Sequence, residues 1–121
     1  MTPQRVQRKR VKGWRLPAGA VIVDRTSKWG NPFTVADAIK AGHTDPQRAC
    51  VSNFEAWIDG DPTYPDTYTV GARVFDRRWM RAHLHELRGK DLCCPCGIGE
   101  PCHGDSLIRR VTLLIAAGGA S

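Results

Sequence analysis

Residues 93–103, CCPCGIGEPCH, concentrate the chemistry of this chain: four of its five cysteines lie there, and His103 follows the last of them. Cys94, Cys96, Cys102 and His103 are four soft or borderline donors within ten residues. That count suits a tetrahedral Cys₃His zinc site, although structural zinc more often takes two pairs with a short spacer inside each. Here the pairs are C-x-C and an adjacent C-H. A second chemistry is open to the same residues. A helix N-terminus or an imidazolium lowers a neighbouring thiol pKa. Cys94 could then act as a nucleophile, with His103 and Asp105 as acid–base partners. A third reading leaves the cysteines as small buried hydrophobes with His103 hydrogen-bonded locally. Disulfides fit least, because an odd count leaves one thiol over and a reducing cytosol keeps the rest open.

A second polar group lies far away in sequence, in DRTSKWGNPF (24–33). Trp29 and Phe33 read as core, and Gly30, Asn31 and Pro32 as a turn. Arg25, Ser27, Lys28 and Asn31 have little packing value, and cations beside backbone amides suit a phosphate.

Elements must bring these two groups together. AGAVIVDR (18–25) reads as a buried strand from about Ala20 to Asp24, and KDLCC (90–94) as a second. Alternation puts Leu92 and Cys94 on one face and Cys93 on the other. Thr34 caps a short helix that Gly42 closes, and Asp45 with Pro46 opens the next. Along that helix Cys50, Phe54, Trp57 and Ile58 share a face. The stretch 59–71 reads as an exposed loop. Asp76 caps a third helix with Met80, Leu84 and Leu87 as its stripe. Asp105 caps a last one, with Leu107, Val111, Leu114 and Ile115 turned inward. The order predicts an α/β fold, a compact single domain with a small, partly parallel sheet packed by three to four helices. VQRKRVKGW could add a strand. In open α/β sheets ligands bind beyond the carboxyl ends of the strands. Both polar groups follow a strand, so parallel neighbouring strands would make one site of them.

The chain has 121 residues, the length of one domain, with a formal charge of +6. Arg5, Arg8, Lys9, Arg10, Lys12 and Arg15 fall in the first 15 positions without an acid, and the remainder balances 12 basic against 12 acidic residues. This predicts a basic arm at 1–12 ahead of a domain at 13–118, with Arg5, Arg8, Lys9, Arg10 and Lys12 available to nucleic acid. No apolar stretch reaches the roughly 18 residues of a membrane span. The basic start has no apolar core of a secretory signal, so a cytoplasmic location is expected, the host's if the chain is phage-encoded.

GWRLPAGAVIVDRTSKWGNPF, FEAWI and LRGKDLCCPCGIGEPCHGDSL together resemble the family known as domain of unknown function 4326, over roughly residues 13 to 115. Its members show Ser-Lys-Trp-Gly-Asn-Pro-Phe, then Gly-Lys-x-Leu-x-Cys-Trp-Cys, then Cys-His-Gly/Ala-Asp-x-Leu. The resemblance marks Arg25 and Ser27 to Phe33, and then Gly89, Lys90, Leu92, Cys94, Cys96, Cys102, His103 and Asp105. It implies an actinobacterial or bacteriophage source but no reaction. Pro95 stands where the family usually has Trp. Three functions follow as expectations: an α/β protein acting on or binding a nucleotide or nucleic acid at a Cys/His site; a zinc-stabilised nucleic-acid-binding module; or an accessory protein that binds a host protein.

Overall fold

The structure is a computed structural model and describes residues 4–9 and 11–118. In chain order it holds β1 (Arg5–Gln7), β2 (Val21–Ile22), α1 (Val35–Lys40), α2 (Pro46–Ile58), β3 (Thr67–Val70), β4 (Arg73–Asp76), α3 (Arg77–His83) with a following 3₁₀ turn (Leu84–Leu87), β5 (Leu92–Cys94) and α4 (His103–Gly118). The fold is the expected compact α/β domain: four helices, a parallel three-stranded sheet and a two-stranded hairpin. No helix among the described residues is long and apolar enough to cross a membrane.

The sheet order is β1-β5-β2, with β5 central and parallel to both neighbours. Its register pairs Val6 and Ile22 with Cys93, on opposite sides. Bonds continue past the strand ends, from Val23 N to Cys93 O at 2.9 Å and from Arg8 N to Cys94 O at 2.7 Å. Residues 5–8, assigned by charge to an arm outside the domain, are therefore part of the sheet. Its central strand would lose one partner without them. A boundary after residue 12 does not separate an arm from a folded unit.

The helix starts follow the capping residues. Thr34 Oγ1 accepts from Asp37 N at 3.2 Å, and Asp45 Oδ1 accepts from Arg48 N at 3.2 Å with Pro46 at the first turn. Asp76 does the same for α3. Helix α4 departs from expectation: it begins at His103, and Asp105 sits inside its first turn rather than at its cap. The Cys102 sulfur accepts from Gly104 N at 3.4 Å and takes the capping place. Leu107 and Val111 of α4 are fully buried, whereas Leu114, expected to face inward, is exposed; the side chain of Ile115 lies outside the description.

The stretch 59–71 is corrected in its second half. Thr67–Val70 pairs antiparallel with Arg73–Asp76, and Gly71 turns the chain at φ +60°. Tyr68, Val70 and Phe75 pack on the core while Thr67 and Thr69 face water. That is the period-two alternation of a half-buried strand. The core gathers Phe54, Trp57, Met80, Leu92 and Leu107 between the sheet and the helices, with Cys94 and Cys102 at its edge. Cys93 is equally buried but stands outside this cluster, on the other face of β5.

A three-cysteine site at the strand ends

Three parallel strands finish at one edge. There β5 delivers Cys94, Pro95 and Cys96, β2 runs through Val23 into Asp24 and Arg25, and β1 runs into Arg8. The loop 95–102 returns to the same edge, where α4 starts. Glycines at 97 and 99 permit the return, Gly99 at φ +91°. The sulfurs of Cys94, Cys96 and Cys102 lie within 4.8 Å of one another. Cys94 and Cys102 are closest, 2.8 Å between sulfurs, and both are buried. Cys96 is half-buried.

Among the described residues one cation, Arg5, bonds to these sulfurs. Arg5, pointing from β1, donates from Nη1 to Cys94 Sγ at 3.2 Å and to Cys96 O at 2.8 Å, and from Nη2 to Gly97 O. Its Nε stands 3.3 Å from an Asp105 oxygen. The neighbouring Cys102 and Cys96 side chains and, against burial, the Arg5 charge hold the Cys94 thiol well below the ordinary thiol range. Cys102 is pushed up in turn by its contacts with Cys94 and Cys96 and by burial.

His103 is not brought into the sulfur group; among the described residues the donor cluster is the three cysteines alone. Its Nε2 lies 2.6 Å from Val23 O and 3.0 Å from Trp29 O. Both partners only accept, so Nε2 carries the hydrogen. Burial holds its pKa below the ordinary histidine value and keeps the ring neutral. The ring meets Phe54 edge-on at 5.1 Å. The expected fourth ligand and acid–base residue thus ties α4 to β2 and the turn at Trp29. Asp105 is exposed and paired with Arg5.

A cavity of about 140 Å³ opens beside the cysteines, with Arg25, Gln47, Cys96, Cys102, His103 and Pro95 among its walls. The second polar group divides around it. Arg25 and Asn31 reach the cavity; Ser27 and Lys28 are not in its wall. Ser27 Oγ accepts from Trp29 N at 3.2 Å and donates to Asp24 O, which shapes the turn. Lys28 Nζ lies 5.1 Å from the Trp79 ring centre, in a separate surface hollow. Asn31 is buried, giving Nδ2 to Cys50 O at 3.1 Å and taking Phe33 N at 2.9 Å. Arg25 donates from Nε to Asn31 O at 2.9 Å and remains exposed.

Of the five cations assigned to nucleic acid, Arg5 is in the sulfur site and Arg8 pairs with Asp24 at 2.7 Å. Lys9 and Lys12 are exposed, and Arg10 lies outside the described residues. Arg5 is the site residue that sequence reasoning placed elsewhere. Its nearest signal was the strand-like segment VQRKRVKGW, which begins one residue after it. Gln47, also in the cavity wall, carried no signal in the sequence; Asp24, in the same wall, headed the polar stretch 24–33 but was read only as the end of a strand.

The fold and site define a small α/β domain with a parallel sheet and a three-cysteine group at the carboxyl ends of its strands. The family model described as Domain of unknown function (DUF4326) matches residues 6–113, and the chain belongs to that family. No curated protein and no solved structure matches it.

Proposed function

We propose that Cys94, Cys96 and Cys102 hold one zinc ion and that the cavity beside it takes a small anionic ligand of the nucleotide class. One observation carries this reading: Cys96 and Cys102 belong both to the sulfur group and to the cavity wall. A fourth coordination position therefore faces the cavity. Three protein ligands with one open position is the pattern of catalytic zinc, whereas structural zinc is closed by four. A tetrahedral ion with bonds of about 2.3 Å sets its sulfurs about 3.8 Å apart. Cys94 and Cys102 would part by roughly 1 Å to reach that spacing.

The ligand class follows from Arg25. Its guanidinium reaches the cavity, bonds to the carbonyls of Asn31 and Phe33, and among the described residues pairs with no carboxylate. Asp24, the acid in the same wall, is engaged by Arg8 and Thr26. A small ligand is favoured over a nucleic-acid polymer because Arg5 and Arg8, two cations of the basic stretch, are spent inside the domain. Cys94 reads as a ligand rather than a nucleophile, since it is buried and absent from the cavity wall.

The test is metal content of untagged protein, with free thiols counted before and after chelation. One zinc per chain, with three thiols appearing only after chelation, supports the site. Metal-free protein with all five thiols reactive on unfolding sinks it. Nucleoside mono-, di- and triphosphates are then titrated by calorimetry. Binding that Arg25→Ala weakens at least tenfold supports the ligand class. Indifference to all three, or equal binding by the variant, rejects it.

A further inference from the structure

We propose that Arg5 belongs to the metal centre, as the fixed cation that brings a three-thiolate zinc site to neutrality; this rests on the zinc reading above. The argument starts from the cost of burying a guanidinium. The Arg5 side chain is 5% exposed. A buried cation is tolerated when an anion faces it and its donors are used. Its donors are used: Cys94 Sγ, Cys96 O and Gly97 O take the two terminal nitrogens. Its one carboxylate partner, Asp105, stands at 3.3 Å and is half in water, 49% exposed. That contact is longer than the 2.9 Å at which the comparably buried Arg77 meets its acid, Asp66, and leaves room for a second counter-charge. The second charge is then sulfur-borne. A divalent ion on three thiolates leaves one negative charge, and one guanidinium cancels it.

The placement also couples metal to fold. The same side chain touches the end of β5, the loop 96–97 and the first turn of α4. A β-carbon at Gly104 would stand 3.2 Å from Arg5 Cδ, so the helix start has closed down on the arginine stem. Arg5 thus fixes the direction of Cys94 and the path of the chain through Cys96. It holds two ligands without coordinating the ion, as outer partners of metal ligands do.

The experiment uses the full chain and Zn²⁺ itself, in competition with a chromophoric chelator, with Co²⁺ absorption to count thiolates. Three proteins are compared with wild type: Arg5→Met, Arg5→Lys and Asp105→Asn. Arg5→Met, folded by circular dichroism in excess zinc, is expected to bind Zn²⁺ about 10–100-fold more weakly and to shift the sulfur-to-cobalt band. Arg5→Lys, which keeps the charge, recovers part of both. Wild-type affinity in Arg5→Met overturns the proposal while leaving the zinc site standing. Wild type that binds no Zn²⁺ overturns the zinc reading and this one with it. If Arg5→Met does not fold, Asp105→Asn decides: freeing the guanidinium from its acid is expected to tighten Zn²⁺ about two- to fivefold. Unchanged or weaker binding there overturns the proposal.

Discussion

At the residue scale, Gly30 has no room for a side chain. A β-carbon there would lie 2.7 Å from Arg25 Cα and from the Phe75 ring, and 2.9 Å from Asp24 O. Gly30→Ala must push apart the turn that presents Arg25. We expect a loss of about 1–3 kcal/mol in urea unfolding, with any ligand binding at Arg25 impaired beyond that. His103 makes a sharper case. Its sequence neighbours suggested a ligand or a catalytic base, yet its hydrogen is committed to two backbone carbonyls. His103→Ala orphans both, at about 1–3 kcal/mol for each. The same melt measures it; a variant as stable as wild type would reject the bridging role. Asp24 gives a pH signature. Burial alone would raise its pKa, but hydrogen bonds from the Thr26 hydroxyl and amide and from Arg8 hold it below the ordinary value. A depressed carboxylate stabilises the fold above its unfolded pKa, and that contribution disappears as pH falls through the folded value. The stability gap between wild type and Asp24→Asn should be full near neutrality and close below about pH 4. A gap independent of pH would mean that the ionised form is not what matters.

At the element scale, capping chemistry made most of the helices legible. Thr34, Asp45 and Asp76 announce helix starts through short polar side chains that accept from nearby amides, and this is local information. Helix α4 begins three residues before the expected start because a cysteine sulfur, not Asp105, takes its capping place. The hairpin β3–β4 was missed because Asp, Pro and Gly crowd residues 59–66, and the turn composition spread its influence onto TYTV. TYTV alternates but is only four residues long, and the apolar residues of RVFD do not alternate, exposed Val74 standing beside buried Phe75. Strand β1 is the costliest case. Three residues among so many cations carry little periodicity, and pairing with a strand some 87 positions onward is invisible locally. The charge reading made it an arm; the sheet makes it structural. Removing residues 1–8 is therefore expected to abolish cooperative thermal unfolding, since β5 loses a neighbour and the sulfurs lose their cation. A truncated chain that melts as one transition near the wild-type temperature would restore the independent arm.

At the scale of the whole molecule, two buried arginines pin the loops that composition alone left undetermined. Arg5 gathers the cysteine loop. Arg77 gathers residues 57–66: its side chain, 8% exposed, meets Asp66 Oδ1 at 2.9 Å. It also donates to the carbonyls of Trp57, Asp61 and Tyr64 at 3.0, 2.9 and 3.0 Å. The two networks share no residue. They differ in what faces the cation: a carboxylate and three carbonyls for Arg77; a carboxylate, two carbonyls and the Cys94 sulfur for Arg5. Only the second should respond to metal. An ion bound to the native state alone stabilises it by mass action, about 2.7 kcal/mol when free zinc is a hundred times its dissociation constant. Arg77→Met should cost about 1–3 kcal/mol at every zinc concentration, chiefly because it strands the buried Trp57 carbonyl; Asp66, 48% exposed, returns to water. The increment gained on adding zinc should be the same in this variant as in wild type, as expected for sites with no common partner. Paired denaturant melts with zinc and with chelator measure both quantities at once. An increment that vanishes in Arg77→Met would mean that the cysteine loop and the 57–66 loop open as one unit, and the domain would then have a single polar anchor rather than two.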